Sequence, residues 1–446
     1  MPGLLRLVFR SLAARKGTFV LTALGVALGV MLISSVMALT RQVGQAYSRQ
    51  GGGIPLVIGA KGSPLQLVLS AVYHLEQSPG LIPFSVLDEL RGAPWVQLAV
   101  PYALGDLFQG YRVVATDEAL FDASFQPVPG APLSLASGRP FRVEAGSLRA
   151  VLREIEGEHP GEDHPEEGAP EGPLREAVLG AEVTRRLGLS PGDRIEPTHG
   201  VEGGKEHAHP ELWTVVGTLA PTGTALDRVV FINLDSFFRI EEHRAGGRME
   251  DGRAALSAVL VFPRTATARA TMPPVLNRRK DLQVVSPGRE IRRLLSLVGD
   301  MEVTLLSIAA CTAVVGLLSV GLSIFHTMAA RGPELAVLRA LGARRWQVLA
   351  LLVGEALAQA VSGAILGLLL GRALLFVLQP RIEQGSGVAL SLWRWTPLLV
   401  EPSSWGALPA EPLLVLSVGV LGAVVGLFPG LLAYRAPVAD RLGRSS

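Results

Sequence analysis

Residues 196–210, EPTHGVEGGKEHAHP, place His199, His207 and His209 in an H-x7-H-x-H spacing, with Glu202, Glu206 and Glu211 between or beside them. Neutral imidazoles and carboxylates are the donors that Zn²⁺ and similar borderline cations take. His159 and His164 lie upstream in 153–173, REIEGEHPGEDHPEEGAPEGP, which carries eight acids. The spacing matches no standard zinc site, and HAHPE is not the H-E-x-x-H of metallopeptidases. The chemistry this pattern suits is capture or sensing of a cation rather than hydrolysis. A solvated polar insertion without a ligand is the alternative. Neither 153–173 nor 196–210 has a periodic apolar face, so both read as disordered loops.

Other chemistries are poorly served. The chain has no G-x-x-x-x-G-K-[ST], because Gly204-Lys205 is followed by Glu206 and no glycine stands five positions before Gly204. Lys61-Gly62, in a Gly/Pro turn leading into an amphipathic helix, is not a phosphate loop either. The single cysteine, Cys311, lies in an apolar run, so no intrachain disulfide can form. No Ser/His/Asp or Cys/His constellation can be argued. We therefore assign no catalytic residue and no cofactor to this chain, except zinc at the His-rich loop as a candidate.

The chain has 446 residues, of which 49% are hydrophobic and only 18% charged. Charged residues normally approach about a quarter of a soluble domain. The apolar residues cluster in four runs, roughly 19–39, 303–328, 348–378 and 413–434, each reaching the roughly 20 residues that cross a bilayer. The first run exceeds the roughly 7–15 residues of a signal-peptide core. The fold class is therefore a membrane protein with four transmembrane helices, one and then three, and a large α+β domain between the first and second.

Charge sets the expected orientation. Arg6, Arg10, Arg15 and Lys16 precede the first run. Arg331, Arg339, Arg344 and Arg345 lie between the second and third, and Arg435, Arg441 and Arg444 follow the fourth. The positive-inside rule puts these segments in the cytoplasm and residues 40–300 and 379–412 outside it. Residues 1–18, which include LLRLVFRSL, read as an amphipathic segment on the inner interface. The tail is 435–446. Glu355, inside the third run, is a candidate for a coupling or packing role. His326 and Arg372 are expected to snorkel from helix ends. Gly25/Gly29, Gly363/Gly367/Gly371 and Gly422/Gly426/Gly430 repeat at four-residue spacing, which favours a tight bundle or dimer.

In the inserted domain, 177–179, 213–219, 229–233 and 258–262 read as strands, and 181–187 as a helix ended by Gly188. Pro287-Gly288 marks the start of a helix that continues into the second run. Helical as far as 328, it would be about 60 Å long, against about 40–45 Å for a bilayer with headgroups. It should therefore project as a stalk, as should the first helix through residues 40–50.

The cytoplasmic segment 329–347 contains PELAVLRALGARRW. On a helix Leu335, Leu338, Leu341 and Val337 share a face, and Glu334, Arg339 and Arg344 point elsewhere. Pro333 suits a first turn, and Gly342 suits a helix end. Such a helix either lies on lipid or docks in a cleft of a partner.

The stretch PELAVLRALGARRWQVLALLVGEALAQAVSGAILGLLLG resembles the signature of FtsX-like permeases of the MacB superfamily. FRSLAARKGTFVLTALGVALGVMLI resembles their first helix. VVATDEALF, LASGRPF, EAVLGAEVTRRLGLSPGDRI and WTVVGTLAPTG follow in the order of their extracytoplasmic domain. The resemblance covers nearly the whole chain. It implies a non-catalytic permease subunit of an ABC transporter of the mechanotransmission type, in the bacterial inner membrane. Its partners would be a separate ATPase holding ATP and Mg, a second permease copy (identical or a paralogue), and a periplasmic adaptor or carrier; nucleic acid is not implied. ATPase coupling would fall on Glu334, Leu335, Leu338, Arg339, Leu341, Gly342, Ala343 and Arg344. The expected work is export or extraction of a lipid, lipoprotein or amphiphile. The alternatives are regulation of a periplasmic cell-wall hydrolase, or a zinc-linked transport or sensing component.

Overall fold

The computed structural model describes residues 10, 15–50, 53–142, 147–156, 175–199, 207–208, 212–240, 249, 253–331, 337, 339, 342–386, 391, 396 and 409–435. The chain divides into two compact units. One comprises 1–44 with 296–446, and the other is 45–295.

The helices are α1 (Lys16–Gln50), α2 (Pro64–Ala71), α3 (Ser85–Gly92), α4 (Ser147–Glu156), α5 (Ala181–Leu187), α6 (Leu234–Arg239), α7 (Ala266–Leu276), α8 (Pro287–Ala330), α9 (Arg345–Ser386) and α10 (Ala410–Arg435). Of these, α1, α8, α9 and α10 are long and apolar enough to cross a membrane. They expose Leu21, Val315, Phe376 and Phe428, side chains that suit lipid rather than water. The bundle's buried core includes Val26, Val30, Val320, Ile324, Leu352, Ala356, Ala360 and Val418.

The glycines sit where these helices touch. A Cβ built on Gly29 would lie 2.5 Å from the Cα and backbone N of Ala313, and one on Gly367 would lie 2.5 Å from the Ala27 carbonyl oxygen. One on Gly426 would meet the Ala356 Cβ at 2.5 Å. Small residues thus let α1 approach both α8 and α9, and let α10 approach α9. This is the close packing that lipid-embedded helices need in place of hydrophobic expulsion.

The second unit is built on a mixed sheet. Its strands are β1 (Leu56–Ala60), β2 (Ile82–Pro83), β3 (Val96–Phe108), β4 (Tyr111–Thr116), β5 (Leu135–Gly138), β6 (Glu176–Leu179), β7 (Arg194–Ile195), β8 (Thr198–His199), β9 (His207–Ala208), β10 (Trp213–Leu219), β11 (Val229–Asn233), β12 (Ala255–Leu256), β13 (Ala258–Pro263) and β14 (Leu282–Val285). The main order is β14-β1-β13-β3-β4-β11-β6-β10-β5, and β2 pairs with β12 apart from it. Pairing is antiparallel except for β11 with β4 and β10 with β6.

Both faces of this sheet are covered. Successive strand residues point to opposite faces. Accordingly Leu56, Ile58, Val230, Ile232, Val259 and Val261 join one apolar layer, with Leu87, Leu90, Phe237 and Phe238 from α3 and α6. Val57, Val229, Phe231, Leu260 and Phe262 join the other, with Leu67, Val68 and Ala71 from α2 and Ile291 from the start of α8. Burial on both faces makes the strands read as continuous apolar runs rather than alternating ones.

Two expectations change. Segment 196–210 is not wholly loop, because β8 and β9 form a short ladder that adds to β3 through Asp106↔His199. Backbone donors and acceptors at the open edge of β3 give this polar segment partners that its own composition lacks. Within 153–173, residues up to Glu156 belong to α4, and 157–174 lie outside the described residues.

Candidate functional site

The segment between α8 and α9 is defined at its ends. The backbone N–H of Gly342 donates to the Arg339 carbonyl at 3.1 Å, and Gly342 has φ +99°. That conformation is open to glycine and strained for any side chain, so Gly342 closes the turn. The Arg344 N–H donates to Gln347 Oε1 at 2.8 Å, just before α9 begins at Arg345. This is the side-chain-to-backbone half of a capping box. Arg339 is helical and half-buried; Val337 is helical and exposed. Ala343 and Arg344 lie between that turn and α9, outside any helix or strand. Glu334, Leu335, Leu338 and Leu341 lie outside the described residues.

The histidine cluster is placed only by backbone register. His199 stands directly opposite His207 in the β8–β9 ladder, and His199 also stands opposite Asp106 on β3. His209, Glu202, Glu206, Glu211, His159 and His164 lie outside the described residues. Among the described residues no group of three or more His, Cys, Asp or Glu could hold a metal ion.

Several polar groups within the bundle are paired. Arg372 does not simply snorkel. Its guanidinium donates to Glu411 Oε1 at 3.0 Å, and Glu411 also accepts from the Thr396 N–H at 3.0 Å and the Thr396 hydroxyl at 2.8 Å. These three donors satisfy the buried Glu411 carboxylate. Thr22 donates to Gln359 Oε1 at 3.2 Å, one turn beyond Glu355, which is itself buried. Arg15 donates to Thr327 at 2.7 Å, tying the start of α1 to the last turns of α8. His326 is exposed.

Ion pairs join distant segments of the inserted unit. Arg91 bonds Asp117, which also caps a short 3₁₀ turn through Ala119. Arg139 binds Glu176 through two N–H···O bonds, at 2.9 and 2.5 Å, and the Arg142 N–H adds a third at 2.8 Å. Burial alone would raise the Glu176 carboxyl. The Arg139 and Arg142 bonds outweigh it and hold the carboxyl below its ordinary value of 4.5. A depressed carboxyl contributes stability above its unfolded value, and that contribution is lost as pH falls through the folded one. We expect the thermal unfolding transition of the inserted unit in the full chain to move to lower temperature below about pH 4.5. Arg139→Ala should lose about 2 kcal/mol at neutral pH and show a flatter acid dependence, because it leaves a buried carboxylate short of donors. An unchanged acid profile in that variant would contradict this role.

The inserted unit also buries His74, a residue with no role readable from sequence. It has φ +55°, and neither ring nitrogen has a partner among the described residues. Burial, with Arg112 adding to it, lowers its pKa to about 3, so the ring is neutral, with its centroid 6.0 Å from that of Tyr102.

Two family models match the chain. The FtsX-like permease C-terminal model matches residues 306–438, and the MacB-like periplasmic core domain model matches 19–272. The extracellular domain of the noncanonic ABC-type transporter YknZ from Gram-positive bacteria aligns over 52% of this chain and 98% of its own, at 13% identity and a TM-score of 0.29. The periplasmic region of MacB from Actinobacillus actinomycetemcomitans aligns over 55% and 95%, at 12% identity and a TM-score of 0.32. No curated protein matches by sequence.

Proposed function

The chain belongs to the family of ABC transporter permeases with an FtsX-like C-terminal region and a MacB-like periplasmic core domain, and we propose that it is the subunit that turns ATPase motion into work outside the membrane. In this reading a separate ATPase binds ATP and Mg and closes on the segment 334–344. The movement passes along α1 and α8 to the inserted unit on the far side of the bacterial inner membrane. The substrate class is a lipid, lipoprotein or amphiphile.

The observation that carries the reading is the length of α8. It runs unbroken for 44 residues, from Pro287 to Ala330, and Ile291 near its start packs into the inserted domain's core. At 1.5 Å per residue that is about 66 Å, more than a bilayer needs. A continuous helix of that length transmits displacement along its axis. A second permease copy is supported by Leu297 and Met301 of α8, which are 61% and 65% exposed and lie before the apolar run that starts at Val303. Exposed apolar side chains outside the hydrocarbon favour a protein partner.

The test is purification of the tagged full chain in lipid nanodiscs, with mass spectrometry of what accompanies it. A co-purifying chain that carries a G-x-x-x-x-G-K-[ST] motif supports the reading. A chain that comes through alone while still embedded and folded would sink it.

A zinc-linked role for the same domain draws support from the His199↔His207 register. Under that role the full chain binds micromolar Zn²⁺ in equilibrium dialysis, and His207→Ala with His209→Ala abolishes it. No wild-type binding would remove the metal from the account.

A further inference from the structure

We propose that the cavity at the β14 edge of the inserted domain binds a phosphate group, either as a free anion or as a lipid headgroup. The cavity has a volume of about 370 Å³ and lies among the end of α7, β14 and the first turns of α2 and α8. Its wall includes Lys61, Asn277, Gln283, Arg289 and Glu290.

The polar lining is held in place and incompletely partnered. Gln283 sits in the run LQVV of β14 and is 6% exposed, yet its Nε2 has no partner among the described residues. A buried amide donor without an acceptor is costly unless something supplies one. Lys61 Nζ donates to the carbonyls of Asn277 at 2.9 Å and Arg279 at 2.8 Å. An ammonium has three donors, so one remains. The Asn277 carboxamide is bound on both sides, accepting from the Val284 N–H at 2.8 Å and donating to its carbonyl at 3.1 Å. It thereby closes the open strand edge and makes that wall rigid.

Charge points the same way. Arg289, Arg292 and Arg293 occupy the first two turns of α8. The helix dipole is positive there and disfavours cations. An anion seated at that end reverses the penalty, and donors in excess of acceptors are what a tetrahedral oxyanion takes. Of the lining side chains, Lys61 and Arg289 are cations and Glu290 is the acid. A ligand held here touches the first turn of the helix that later enters the membrane.

The experiment is titration calorimetry of the full chain in lipid-free amphipol, using inorganic phosphate and, separately, dihexanoyl phosphatidylglycerol below its micelle concentration. We expect saturable binding of at least one probe. Phosphate binding identifies a free anion, and phosphatidylglycerol binding without phosphate binding identifies a headgroup. Arg289→Gln and Gln283→Leu should each weaken the bound probe at least about fivefold, and Glu290→Gln should tighten it about twofold. Arg289 and Glu290 lie away from the core, so those two variants report even if Gln283→Leu does not fold. Binding of neither probe, or affinities unmoved by Arg289→Gln and Glu290→Gln, would overturn the proposal.

Discussion

Gly367→Leu is expected to remove the folded chain from the membrane almost entirely. A Cβ at this position would lie 2.5 Å from the Ala27 carbonyl oxygen and 2.8 Å from the Val30 Cβ. Neither contact is the far end of a flexible side chain, so α9 must retreat from α1 along its length. Overpacking costs about 1–3 kcal/mol in soluble cores. Here it also breaks the close approach that substitutes for hydrophobic expulsion in lipid. Gly299→Leu on α8 is the control, because nothing lies within 4 Å of a Cβ built there. The measurement is the monodisperse yield and thermal midpoint of each variant after detergent extraction. Equal yields would mean that the α1–α9 contact does not hold the bundle together.

Leu338→Asp, or deletion of 335–342, is expected to abolish association with the ATPase while leaving insertion and the outer domain intact. In the sequence Leu335, Leu338 and Leu341 recur at three-residue spacing with Arg339 and Arg344 nearby, and the turn at Gly342 precedes the first turn of α9. A carboxylate in a docked apolar face loses hydration without gaining a partner, a cost of several kcal/mol. That is enough to lower affinity by more than about a hundredfold. The same change on a helix that merely rests on lipid would leave any ATPase partner bound. Co-purification of the ATPase with Leu338→Asp would therefore show that coupling lies elsewhere.

What the sequence disclosed follows from how each element is solvated. The four spans were legible because lipid demands long uncharged runs, and β10, β11 and β13 because a sheet covered on both faces demands short ones. The long central strand β3, VQLAVPYALGDLF, was not. It contains Pro101, Gly105 and Asp106, residues that strands disfavour, and β3 is held by β13 on one side and reaches β4 only from Ala103 onward, with a bulge between Leu104 and Leu107. Proline is tolerated where a strand has a ladder on one side only, and glycine marks the bulge. The pairing of Arg372 was not legible, because its partner Glu411 stands 39 residues away on another helix and pairing at that separation leaves no local trace. Gln283 was passed over for a related reason. One polar residue in LQVV looks like the outward position of a half-buried strand, and only the cover on both faces of β14 reveals it as buried. The paired positions of His199 and His207 needed the β8–β9 register, which no spacing rule supplies.

The most direct test of the central claim is a distance measured during ATP turnover. Spin labels at Gln97→Cys in the inserted unit and Arg381→Cys on α9, in a Cys311→Ser background, are read by pulsed dipolar spectroscopy in nanodiscs containing the ATPase. Both sites are exposed. The account predicts that adding ATP and Mg shifts the label-to-label distribution, and that the shift disappears in Leu338→Asp. An unchanged distribution while ATP is being hydrolysed would contradict the transmission of motion from the cytoplasm to the inserted domain.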